Sequence, residues 1–63
     1  MRYRHYKGGL YDVMCEATLE ADLTPVIVYR SQDGRVWVRP RDVFFETVDD
    51  GAGGRVPRFA PVP

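Results

Sequence analysis

The stretch Pro25–Pro40, PVIVYRSQDGRVWVRP, decides the fold. Two runs rich in β-branched and aromatic residues, Val26–Arg30 and Arg35–Arg39, flank Ser31-Gln32-Asp33-Gly34, and Asp-Gly between such runs signals a hairpin. Pro25 is tolerated at a strand start because its missing N–H need not join the ladder, and Pro40 ends the return strand. Two registers compete. A type I turn with Gly34 left-handed pairs Ser31 with Arg35 and sets Tyr29 opposite Trp37. A tight Asp33-Gly34 turn shifts the pairing by one, so that Arg30 opposes Trp37. Serine at the first corner and glycine at the fourth favour the former. In that register Val26, Val28, Val36 and Val38 share one face with Arg30, and Ile27, Tyr29, Arg35, Trp37 and Arg39 share the other. The valines are expected to form the core face. Trp37 between two arginines is then either a platform for a ring, base or cation, or a side chain covered by the tyrosine-rich N-terminus or the C-terminal tail.

Working outward, Lys7-Gly8-Gly9 marks a turn, and Leu10–Ala17 reads as a strand. Thr18–Thr24 reads as a loop, and Asp42–Glu46 as one helical turn capped by Asp42 before Thr47-Val48. Asp50–Gly54 is a flexible turn, and Arg55–Phe59 a short final strand. The prolines of Ala60–Pro63 suggest an extended tail, so the expected domain is 1–59 followed by a tail at 60–63. Four or five short antiparallel strands with at most one helical turn predict an all-β chain, either a small bent sheet or an SH3-like barrel. Leu10, Val13, Cys15, Phe44 and Phe59 are expected to join the valines in the core.

The chain has 63 residues, and a domain this small buries only about 60% of its unfolded surface. Its single cysteine, Cys15, allows no internal disulfide, and with one histidine, His5, there is no tetrahedral zinc set. No metal or cofactor is expected. What remains is an aromatic core, self-association into a homo-oligomer, or both. Arg2 and Arg4 precede no apolar run, so a signal peptide is not expected, and no stretch approaches the roughly 18 apolar residues of a membrane span. With an unpaired cysteine, this leads us to expect a cytoplasmic protein that does not engage membranes.

Nine basic and nine acidic residues balance, and eight of the nine bases are arginine. Their distribution is uneven: residues 30–41 hold Arg30, Arg35, Arg39 and Arg41 against Asp33 alone, and residues 12–22 are acidic without a base. These segments either pair within the fold or leave a basic docking face. Catalytic patterns are lacking. Lys7-Gly8-Gly9 has no P-loop spacing, Asp49-Asp50 reads as a solvated turn, and Cys15 has no base beside it. The ligand-binding candidates are Arg4, His5, Tyr6, Lys7, Tyr29, Arg30, Trp37, Arg39 and Arg58. Tryptophan, tyrosine and arginine dominate interface hot spots, so the expectation is a non-catalytic binding or accessory module for a protein or peptide. The alternative is single-stranded nucleic acid, against which the zero net charge counts. A third reading is a small enzyme built around His5 across a homo-oligomer.

Tyr3-Arg4-His5-Tyr6-Lys7-Gly8-Gly9-Leu10-Tyr11, Val28-Tyr29-Arg30, Trp37-Val38-Arg39-Pro40, Phe44 with Glu46, and Pro57-Arg58-Phe59 resemble the small bacterial proteins of domain-of-unknown-function family 1653. The resemblance spans nearly the whole chain and implies a stand-alone bacterial domain with no assigned activity. One segment departs from it: many relatives carry a His-Ser-Glu-Thr-like run where this chain has Leu19-Glu20-Ala21-Asp22.

Overall fold

The computed structural model describes all residues from Met1 to Pro63. Its hairpin at the centre of the chain adopts the register with Tyr29 opposite Trp37: Ser31 N–H donates to Arg35 O at 2.9 Å, and Gly34 N–H to Ser31 O at 3.0 Å. Gly34 has φ +87, the left-handed conformation that a Cβ would penalise. Ser31 Oγ and the Arg35 N–H both donate to the Asp33 carboxylate, which fixes the turn.

Strands β3 (Pro25–Ser31) and β4 (Val36–Pro40) are two of five in an antiparallel sheet. The others are β1 (Arg2–His5), β2 (Leu10–Thr18) and β7 (Phe59–Pro61), in the order β4-β3-β2-β1-β7. A separate two-stranded sheet joins β5 (Thr47–Asp49) to β6 (Arg55–Pro57). One helical turn, α1 (Arg41–Phe44), follows β4. The chain is all-β as expected, but the sheet does not close into a barrel, because β4 and β7 remain edges. The radius of gyration, 12.3 Å, exceeds the roughly 10.6 Å of a compact domain of this length, as an open sheet requires.

Several local expectations change. The final strand breaks at Arg58 into β6 and β7. Ala60 and Pro61, read as tail, pair with Arg4 and Tyr3. Val62 N–H donates to Arg2 O and Tyr6 N–H to Arg58 O, each at 2.9 Å, which by ladder alternation turns the Pro61 nitrogen toward the open edge, where no hydrogen is missed. The α1 cap position is Pro40 with no side-chain cap bond; Asp42 Oδ1 instead accepts the Val43 N–H at 2.9 Å.

The core lies on the opposite sheet face from the one expected. Ile27, Tyr29, Phe44 and Phe59 are buried together, with Tyr3, Tyr11 and Val13 packed against them. Phe44 and Phe59 stack at 4.1 Å with an interplanar angle of 3°. The Tyr29 ring meets both edge-on, 5.3 Å from Phe44 and 5.5 Å from Phe59. Val36 and Val38, assigned to the core by alternation, are 51% and 59% exposed. Val26 is buried beside Ala17 and Pro40 in register, and Val28 is half-buried. Both hairpin faces are apolar, so alternation alone did not say which one α1 and β7 would cover. Rings bury more area than valines, and the aromatic face won.

Cys15 is also exposed rather than buried. Val13 pairs with Tyr29, but Cys15 pairs with Val28, because Met14 is an extra, bulged residue. The bulge reverses the alternation and sends Cys15 to the outer face. Beyond it Glu16 faces inward, where it accepts from Arg41 Nε at 2.8 Å and ties α1 to β2. Phe44→Ala should destabilise the fold by about 3–5 kcal/mol, comparable to the whole stability of a domain this size. Val38→Thr should change it by no more than about 0.5 kcal/mol. Urea unfolding of the two variants checks the face assignment, which fails if Val38→Thr is the more damaging.

Candidate functional site

The register that brings Tyr29 to Trp37 also brings Arg39 to Ile27, so β4 lays an aromatic and a cation along the inner face. The core rings fill the middle of that face and stop short of β4. A hollow of 160 Å³ is left, lined by His5, Tyr11, Tyr29, Trp37, Arg39 and Phe59. A cavity of about 150 Å³ accepts a benzene ring, so this hollow suits one side chain of a partner.

Each wall is held in place. Trp37 is 42% exposed, with its Nε1–H donated to Ser31 Oγ at 3.0 Å and Arg35 6.0 Å from its ring. The Arg39 Nε–H donates to Tyr29 Oη at 3.2 Å, and its guanidinium lies 5.6 Å from the Phe59 ring centre. No carboxylate pairs with Arg39: the four ion pairs are Arg2–Asp12, Arg35–Asp33, Arg41–Glu16 and Arg58–Glu46. His5 stands edge-on to Phe59 at 4.9 Å and tilts over Tyr6 at 4.6 Å. Its Nδ1 accepts the Lys7 N–H at 3.1 Å, which leaves the proton of the neutral ring on Nε2. Desolvation, then the charges of Arg39, Arg58 and Lys7, hold His5 below its ordinary pKa of 6.5, so the ring is neutral at pH 7.

Four of the nine candidates therefore meet in one place: His5, Tyr29, Trp37 and Arg39. The rest scatter. Arg30 pairs with Asp12 and Val36 in register, on the outer face. The Arg58 Nε–H donates to Glu46 Oε1 at 3.1 Å and its backbone N–H to Glu46 O at 2.9 Å, which fastens β7 behind α1. Lys7 lies over the exposed Tyr6 ring at 5.8 Å. Arg4 donates to Gly8 O at 3.2 Å, and with Tyr6 it borders a larger hollow of 380 Å³ facing Asp50, Val56 and Pro57. His5 lines that second hollow as well, and there Asp50 Oδ1 accepts the Ala52 and Gly54 N–H groups, which hold its carboxyl below the usual carboxylate range.

Two lining residues, Tyr11 and Phe59, were not among the candidates. Phe59 was correctly assigned to the core, and it also lines the hollow. For Tyr11 a signal existed: it follows Gly9 by two residues, and its ring lies where a Gly9 Cβ would meet Cε1 at 3.0 Å. No group of three His, Cys, Asp or Glu side chains is placed to hold a metal ion, and no helix is long and apolar enough to cross a membrane.

Fold and site together define a small open-sheet domain with an aromatic–arginine hollow beside one sheet edge. The family described as "Protein of unknown function (DUF1653)" matches residues 1–61, and this chain belongs to it. It is similar to the crystal structure of a DUF1653 protein from Bordetella bronchiseptica, with 38% identity and a TM-score of 0.87 over 97% of this chain and 82% of that one. No curated protein matches it.

Trp37 fluorescence should be red-shifted and quenched by acrylamide, since nearly half of the side chain is exposed. A blue-shifted, unquenched signal from the monomer would place it in the core. The lowered His5 pKa also has a consequence for stability. Its stability contribution is whole above the unfolded value of 6.5 and is lost as pH falls through the folded value. Denaturation midpoints should therefore decline between pH 7 and 5, and His5→Gln should flatten that slope. An NMR titration placing His5 at or above 6.5 contradicts this.

Proposed function

We propose that this chain is a non-catalytic binding module that seats a side chain of a protein or peptide partner in the hollow between Trp37 and Arg39. The observation that carries this reading is their convergence: a half-exposed tryptophan and an arginine with no carboxylate partner face one side-chain-sized hollow. Only Nε of Arg39 is used within the chain, so its terminal nitrogens are free to donate to a carboxylate. Two walls, Tyr29 and Phe59, are buried and already fixed, so little side-chain entropy is lost on binding.

His5 supports binding over catalysis. One ring nitrogen is committed to a backbone N–H, no carboxylate hydrogen-bonds the other, and the surrounding cations disfavour its protonated form. Single-stranded nucleic acid is supported less, because Arg30 and Arg39 lie on opposite faces and give no continuous basic track. The exposed thiol of Cys15 suits a reducing, cytoplasmic setting.

Selection from a displayed peptide library, followed by titration of the enriched peptides, tests the reading. Trp37→Ala and Arg39→Ala should each weaken binding at least about tenfold, the effect of a hot-spot side chain, while the variants remain folded by circular dichroism. If the double variant binds the enriched peptides as the parent does, the reading fails. Saturable binding of oligothymidine that collapses as salt rises would transfer the site to nucleic acid.

A further inference from the structure

We infer that the partner docks as an added β-strand along β4, and that the segment it supplies alternates acidic and apolar residues. The inference rests on the hollow's being a docking site and adds the mode of docking and the chemistry of the partner.

The two edges of the five-stranded sheet are not alike. On β7, Pro61 places a residue without an N–H at the edge, a common guard against strand addition. β4 ends in Pro40, whose nitrogen by the same ladder alternation also faces outward, but Val36–Val38 before it carry no such guard. The Ser31–Arg35 bond sets the alternation of the ladder, so Trp37 and Arg39 bond to β3 while the N–H and C=O groups of Val36 and Val38 point away from the sheet. No other segment pairs with β4, and no backbone bond from elsewhere reaches either valine. Both valine side chains are more than half exposed.

The side chains of β4 specify what could lie there. Trp37 and Arg39 project to the inner face, as does Arg35 just before the strand, and Val36 and Val38 to the outer. Arg39 has no carboxylate, and the Arg35–Asp33 pair is long, 3.7 Å, and exposed on both sides, so it yields readily to a competitor. A strand beside β4 therefore meets arginine, tryptophan, arginine on one face. Its complement is acidic, aromatic, acidic at every second position, with β-branched residues between them against Val36 and Val38. The residue opposite Trp37 occupies a non-hydrogen-bonded position, where opposing side chains are nearest, and can enter the hollow.

A second copy of this chain is the obvious rival, and charge disfavours it. The self-pairing of β4 that uses the backbone groups of both valines sets Arg35 opposite Arg39 of the second copy, twice over, with like charges on one face.

The experiment uses a nine-residue peptide, acetylated and amidated, with Glu-Val-Tyr-Val-Glu at its centre and Gly or Ser at its flanks. Binding to the full chain is followed by NMR. The Val36 and Val38 amide signals should shift and become at least about tenfold more protected from hydrogen exchange. A peptide with Lys in place of Glu should bind at least about tenfold more weakly, and so should the Val38→Pro protein. That substitution removes an outward N–H and leaves the β3–β4 ladder intact, as edge positions allow. Should Val38→Pro fail to fold, N-methylation of the peptide's valines removes the same bonds from the other side and must weaken binding equally. Equal binding to Val38→Pro, with shifts confined to His5, Tyr11 and Trp37, overturns strand addition and leaves the hollow as the site. Failure of the peptide to bind overturns the inference, while the library selection decides the hollow separately. A dimer in sedimentation that Val38→Pro dissolves overturns it in favour of a second copy.

Discussion

The stack of Phe44 on Phe59, two parallel rings 4.1 Å apart, is the contact on which this structure depends. One ring comes from the helical turn after β4 and the other from the first residue of β7, so the stack joins segments that the sheet by itself would leave separate. Tyr29 stands beneath both, Tyr3 meets Phe44, and Tyr11 and His5 meet Phe59. A chain with no disulfide and no metal cluster has few other means of closing a core. Here the rings supply buried area where aliphatic side chains are too few. The Glu16–Arg41 and Glu46–Arg58 pairs also hold the two ring-bearing segments, but they are exposed or half-exposed and add alignment more than stability.

That core also determines where the site lies. Phe44 and Phe59 cover the middle of the inner face and leave its β4 margin open, so Trp37 is half uncovered while Tyr29, directly opposite in the ladder, is buried. The paired aromatics of the hairpin thus divide by position: Tyr29 under the stack is buried, and Trp37 at the edge is half exposed. Arg39 lies between the two, with one nitrogen on Tyr29 and its guanidinium 5.6 Å from the Phe59 ring centre. An arginine so placed would lose little freedom on meeting a carboxylate.

The two edges of the sheet illustrate a second constraint. A sheet that stays open must prevent unwanted pairing or use it. Proline does the former on β7 and at the Pro40 end of β4, while along Val36–Val38 the arginines that discourage self-pairing are the same groups that would welcome an acidic strand. Negative selection against one partner and positive selection for another can therefore reside in the same side chains.

Much of the local structure was legible in the sequence. Asp33-Gly34 between two β runs specified the central hairpin, and Ser31 and Gly34 specified its register, because turn geometry is a local property. The clustering of His5, Tyr29, Trp37 and Arg39 followed in part from that register. Tertiary structure decided the rest. Valines and rings lay on opposite faces of the hairpin, and only the arrival of α1 and β7 from distant parts of the chain determined which face would be dry. The bulge at Met14, which turned Cys15 outward, follows from matching β2 to β3 rather than from any residue near it. Likewise Ala60-Pro61 became a strand because β1 offered an edge whose bonding pattern spared the proline nitrogen. Local propensity set the central hairpin and its turn, and long-range packing decided which face became the core and which segments, such as Ala60-Pro61, joined the sheet.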